Sequence, residues 1–258
     1  MLHKALSATP GVEMHHEYMV QITQPLAVKR YLGLVGEEEC RRLIAQTHCA
    51  AIRYCETDHW GDSSNKLSWL IPDLAALFEQ ARFVHLVRDG RKVCSSYFHK
   101  LAAECYPDRA AAIFQAHFDD FRLPAPPPEK KYWWPCPRKD SSDANRFRGF
   151  SQFERICWHW AEVNRVILEE LNRLPPQRSM LVRLEDLRES PSAVSGLYKF
   201  LNLPYRDDDF TVFSRPHNVN RPEDKLLTDE QRDSFEAIAG AMQARFGYTG
   251  LPEYVVNY

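Results

Sequence analysis

The chain has 258 residues, with 33 Lys and Arg against 35 Asp and Glu, 44% hydrophobic and 26% charged. That balance excludes a disordered chain, which needs low hydrophobicity and high net charge, and it excludes a global electrostatic pull towards nucleic acid or acidic membranes. An anionic ligand must therefore be held by a local site. The length gives room for a single domain over 1–258, with a core burying roughly three quarters of the unfolded surface. Seven cysteines, spread widely and never spaced C-x-x-C, point to a reduced, cytoplasmic protein with no metal site. The N-terminal residues lack a basic start followed by an apolar run, and no run approaches eighteen apolar residues, so neither a signal peptide nor a membrane span is expected.

In chain order, the first readable unit is Pro72 to His99. LAALFEQA suggests a helix, FVHLV a continuous apolar strand, RDGR a turn, and KVCSSYFHKLAAEC another helix. Helix, buried strand, tight turn and helix make the repeating unit of a parallel α/β sheet. Residues 122–149 are a composition island of prolines, charges and the aromatic run Tyr132, Trp133 and Trp134. An irregular stretch longer than about fifteen residues is either a functional lid or a loose insertion. A second α/β unit follows. QFERICWHWAEVNRVILEELNRL places Phe153, Ile156, Trp160, Val163 and Ile167 on one helical stripe, PPQ breaks it, and MLVRL is the next strand. After it come a turn and a helix opened by Ser190 and Pro191. The polar stretch SRPHNVNRPEDKLL precedes a last helix, capped by Thr228 and stopped at Gly247. The fold class expected is α/β, a parallel central sheet flanked by helices, with FVHLV and MLVRL inside it.

In open α/β sheets ligands collect at the carboxyl ends of strands and at helix N-termini. Arg88 ends the FVHLV strand, and Ser96 lies eight residues on, in the second turn of the following helix. A guanidinium fork and a hydroxyl suit a phosphate. The alternative is an Arg88–Asp89 surface pair beside a helix-internal serine.

ARFVHLVRDGRKVCSSYFHK resembles the 3′-phosphate-binding segment of the sulfotransferases that use the activated sulfate nucleotide PAPS, a family that includes the tyrosylprotein sulfotransferases. MLVRLEDLRESPSAVSGLYKFLNLP resembles their strand, E-D-L turn and helix, ATPGVEMHHEY the stretch after their first helix, and the LTDEQ helix ending in FGY their last. The resemblance implies a fold related to P-loop nucleotide kinases, PAPS as co-substrate, no metal, and transfer of sulfuryl to a hydroxyl or amine on a sugar, lipid, phenol or peptide. It implies Arg88 and Ser96 as contacts to the 3′-phosphate, with Arg221 either a further phosphate contact or a loop surface charge. Glu17 falls where the family has an acidic residue that takes the acceptor proton. His16 is a second candidate base, though His15 and His16 are equally ordinary polar residues at a strand end. Trp133 and Trp134 become the candidate acceptor lid.

The sequence also departs from the family pattern. Met1 to Ser7 already reads as the helix that follows the family's first strand and R-S-G-T-T loop, so that strand and the loop that grips the 5′-phosphosulfate are expected to be missing. Ser63 stands where related members have a lysine, and Lys66, one helical turn away, is the candidate replacement. Leu184 stands where a tyrosine near the adenine is common. Two functional classes follow: a PAPS-dependent sulfotransferase, or a truncated or degenerate nucleotide-binding remnant without turnover. A P-loop kinase is a weaker third, since no G-x-x-x-x-G-K-[ST] occurs.

Overall fold

The computed structural model describes residues 2–215 and 226–253. The chain opens with α1 (Leu2–Ser7), β1 (Val12–His16) and α2 (Val20–Tyr31), followed by α3 (Glu37–Ile44), a π-helical stretch Ala45–Cys49 and α4 (Ala50–Arg53). Strand β2 (His59–Ser63) leads through the 3₁₀ turn Lys66–Leu70 into α5 (Ile71–Leu77), then β3 (Phe83–Val87) and α6 (Gly90–Lys100). Helices α7 (Asp108–Asp119) and α8 (Ala144–Phe147) bracket the proline-rich segment, and α9 (Gln152–Leu171) leads to β4 (Ser179–Arg183). Helices α10 (Leu184–Glu189), α11 (Pro191–Leu201), α12 (Asp207–Ser214) and α13 (Asp229–Arg245) complete a mixed α/β fold.

All described strand pairing is parallel, as expected, but it is divided: β1 pairs with β2 and β3 with β4, in two separate ladders rather than one continuous sheet. Side chains alternate across a strand, so β3 serves two layers. Val84 and Leu86 join Met180 and Val182 of β4 and Val12 and Met14 of β1 in a cluster under α1, α11 and α12. Phe83 and Val87 face the other way, towards clusters built on α2, α5, α6, α9 and α13. Leu181, opposite His85 in the ladder, is 51% exposed. The strand read as fully buried therefore has one uncovered position, because each strand here has one partner and α9 packs on β3.

Helix α9 follows its predicted stripe: Phe153, Ile156, Trp160 and Val163 are buried, and Ile167 packs beside them. Its start is a reciprocal cap, with Glu154 N–H donating to Ser151 Oγ and Ser151 N–H to the Glu154 carboxylate. Ser190 and Thr228 cap α11 and α13 as their sequence positions imply, and Gly247 takes the left-handed φ of +77° that ends the last helix. Helix α5 begins and ends earlier than LAALFEQA suggests, because Pro72 sits in its first turn and Phe78 leaves helical geometry at φ −124°.

Candidate functional site

The strand end at β1 is shaped by a strained turn. Glu17 and Met19 both have left-handed backbone, at φ 56° and 51°, a conformation that costs a non-glycine residue about 1–2 kcal/mol. Ties to β2 hold it. Glu17 N–H donates to Ser63 O at 3.3 Å, and Tyr18 N–H is shared between the two Asp62 carboxylate oxygens at 3.2 Å. Burial pushes the Asp62 carboxyl above its usual range, against the Tyr18 bond, which favours the anion. His16 is exposed, and its Nδ1 bonds Ser63 O at 2.8 Å. The Glu17 carboxylate is half-buried and forms an ion pair with Lys130, 113 residues away.

Lys66 opens the 3₁₀ turn after β2 and is 6% exposed. Among the described residues its ammonium makes no ion pair or hydrogen bond, and its charge rests on the face of Trp134, 3.6 Å from the ring centroid. Burial lowers its pKa to about 8, opposed by the field of Glu17. Burial, with the Lys66 charge adding to it, pushes His159 down to about 3 and keeps it neutral. Asn65 donates to the Tyr97 hydroxyl at 3.0 Å, tying the end of β2 to α6. Among the described residues, one carboxylate, one paired lysine and one buried lysine without a counter-ion thus share the carboxyl ends of β1 and β2.

Trp133 and Trp134 do not cover this site from outside. They are 3% and 4% exposed, with their indole N–H groups donating to Pro127 O and Glu104 O, both at 2.7 Å. Gln24 of α2 donates to the carbonyls of Lys130 and Trp133. The proline-rich segment is accordingly packed into the core through its aromatics, and it carries Lys130 to Glu17. The sequence reading singled out the two tryptophans and missed Lys130. The run Glu129, Lys130 and Lys131 beside them offers no spacing signal that selects the middle residue.

At the end of β3, Arg88 and Ser96 are both half-buried, one after the strand and the other on α6. Asp89, read as one half of a surface pair with Arg88, is instead 1% exposed and forms an ion pair with Arg91. It caps α6 by accepting from Arg91 N–H at 3.0 Å, and it also accepts from Arg91 Nε, Arg91 Nη2 and Gln243 Nε2. Gln243 Oε1 in turn accepts from Gly90 N–H, and Glu185 accepts from Asp89 N–H and the Tyr248 hydroxyl. Burial raises the Asp89 pKa, but the bonds from Arg91 and Gln243 outweigh it and leave the carboxyl below its usual range. Arg221 lies outside the described residues. Among the described residues no group of His, Cys, Asp and Glu is placed to hold a metal ion, and no helix is long and apolar enough to cross a membrane.

Residues 2–122 match the model of the sulfotransferase family. That stretch, a little under half of the chain, carries Glu17, Lys66, Arg88 and Ser96. The structure is similar to that of a sulfotransferase domain from the curacin biosynthetic pathway, at 14% identity and a TM-score of 0.43, over 88% of this chain and 79% of that one. No curated protein matches the chain.

Proposed function

We propose that the chain transfers a sulfuryl group from PAPS to a hydroxyl or amine acceptor, with Glu17 as general base. The observation that carries this reading is the Glu17–Lys130 ion pair placed close enough for Glu17 to act on the charge of Lys66, a buried cation with no ion pair among the described residues, with Glu17 and Lys66 inside the stretch that matches the family. A buried ammonium is costly unless an anion joins it, so Lys66 is built to receive one. A neutral hydroxyl is a poor nucleophile, and a positioned carboxylate removes its proton as the new oxygen–sulfur bond forms. The electron pair of the broken sulfur–oxygen bond stays on the leaving phosphate, where Lys66 and Lys130 are the nearby cations that stabilise it. PAPS supplies the activated sulfuryl group. Arg88, Ser96 and Arg221 hold its nucleotide, and Trp134 fixes Lys66 from the core side while Trp133 anchors the segment that carries Lys130.

The test is transfer of labelled sulfate from PAPS to a panel of sugar, phenol, lipid and peptide acceptors. Glu17→Gln is expected to lower the rate about a hundredfold or more with unchanged affinity for 3′-phosphoadenosine 5′-phosphate, since general-base assistance is worth that much. A fully active Glu17→Gln variant moves the base to His16. Nucleotide binding without transfer to any acceptor marks a nucleotide-binding remnant.

A further inference from the structure

Helix α6 carries a cation that the reading above does not use. Lys92 stands one turn before Ser96, so the two side chains leave the same face of the helix. The packed face is marked by Cys94, fully buried, and by Gly90, where an added Cβ would lie 2.8 Å from both Trp160 and Phe235. Lys92 and Ser96 are turned away from that contact, on the opposite side of the helix. Lys92 forms an ion pair with Glu253 at 3.1 Å, and each side chain is only 12% exposed.

Glu253 reaches Lys92 because the chain after Tyr248 is drawn across the start of α6. Arg91 Nη2 donates to the carbonyls of Leu251 and Pro252, at 3.1 and 3.4 Å, in addition to its bond with Asp89. A carboxylate on an irregular segment is ordinarily left in water, where screening makes an ion pair weak. Here it is withdrawn from water and set on a lysine one turn from the serine that the family resemblance assigns to phosphate. A single carboxylate matches one cation, whereas a phosphate monoester brings a larger charge and three acceptor oxygens, enough to engage Lys92 as well as the serine one turn on.

We propose that Lys92 is a third anchor for the nucleotide 3′-phosphate, and that Glu253 occupies it until that phosphate displaces the carboxylate. The inference rests on the assignment of Arg88 and Ser96 to the 3′-phosphate. Calorimetric titration with 3′-phosphoadenosine 5′-phosphate and with AMP, which lacks the 3′-phosphate, tests both levels. Lys92→Met is expected to weaken binding of the bisphosphate about tenfold or more and leave AMP unchanged, the loss appropriate to one charge-assisted contact. Glu253→Gln is expected to tighten the bisphosphate severalfold without affecting AMP, and to have no effect in a Lys92→Met background. An unchanged bisphosphate affinity in Glu253→Gln, or equal weakening of both ligands in Lys92→Met, overturns the proposal while the nucleotide site stands. If the unaltered protein shows no preference for the bisphosphate and Arg88→Ala changes neither ligand, the assignment of Arg88 and Ser96 falls, and Lys92 with it.

Discussion

The carboxyl ends of β1 and β3 have the same local plan, a short strand, a tight turn and a helix, yet they treat charge and backbone in opposite ways. At β3 the turn is stabilised on all sides: Asp89 caps α6, accepts from Arg91 and Gln243, and is buried without strain in a network that reaches Glu185 and Tyr248. At β1 the turn has two left-handed residues, α2 follows Met19 at its N-cap position with no side-chain cap, and a buried lysine nearby has no counter-ion among the described residues. Unrelieved charge and backbone strain persist only where surrounding structure enforces them, and they gather at sites of chemistry. Under the proposed function, the β3 end is the rigid holder and the β1 end the reactive one.

That contrast is most open to attack at Asp89. Removing a buried carboxylate that neutralises Arg91 and orders Gln243 leaves their charge and donors uncompensated, so Asp89→Ala is expected to destabilise the fold by about 3–5 kcal/mol. Urea unfolding measures it. Glu17→Gln, at the reactive end, is expected to stay within about 1 kcal/mol of the parent. Equal losses at the two positions would mean that the β1 end is as structural as the β3 end.

Lys66→Met carries the opposite sign. An ammonium buried without an anion opposes folding, and an apolar side chain of similar length removes that opposition, so stability at pH 7 is expected to rise by roughly 1–3 kcal/mol while sulfate transfer is lost. The pH dependence identifies the cause. Because the folded-state pKa is lowered to about 8, the unfolded chain binds more protons between that pH and the ordinary lysine range near 10.5. The parent therefore gains stability as pH rises across this window, and the advantage of Lys66→Met is full below about pH 8 and gone above about 10.5. A pH-independent difference between the two proteins would assign the effect to packing against Trp134 instead.

The backbone of the β3 end was largely legible in the sequence because its determinants are local: an apolar run, a polar turn and a helix. The same holds for α9, α11 and α13, each marked by a cap and a stripe. The partners of Asp89 were not legible, since Gln243 and Glu185 arrive from elements 154 and 96 residues away. At the β1 end the sequence offered Glu17, His16 and Lys66, but Lys130 belongs to a segment whose aromatics suggested a surface lid. Periodicity cannot tell a tryptophan that covers a pocket from one that fills the core beneath it. The division of the strands into two ladders was equally hidden, because an apolar strand reads the same with one neighbour as with two.

The finest test of the comparison is Asp62, which acts on the reactive end through backbone alone. In the β1–β2 ladder His15 is opposite Asp62 and His16 opposite Ser63, so the Asp62 carboxylate meets Tyr18 N–H just where the chain turns at Glu17. Asp62→Ala leaves that N–H without its acceptor and frees the left-handed pair at Glu17 and Met19 to relax. The lost bond is expected to lower stability by only about 1 kcal/mol, since strain released by the turn offsets part of it. Transfer should fall much further than so small a loss implies, because a base displaced by a fraction of an ångström loses its line to the acceptor proton. Asp62→Asn keeps an oxygen acceptor for Tyr18 N–H and is expected to retain most of the rate, with nucleotide affinity unchanged in both variants. Parent-like transfer by Asp62→Ala would show that the turn holds Glu17 without help from β2, and that strain at the β1 end has no part in presenting the base.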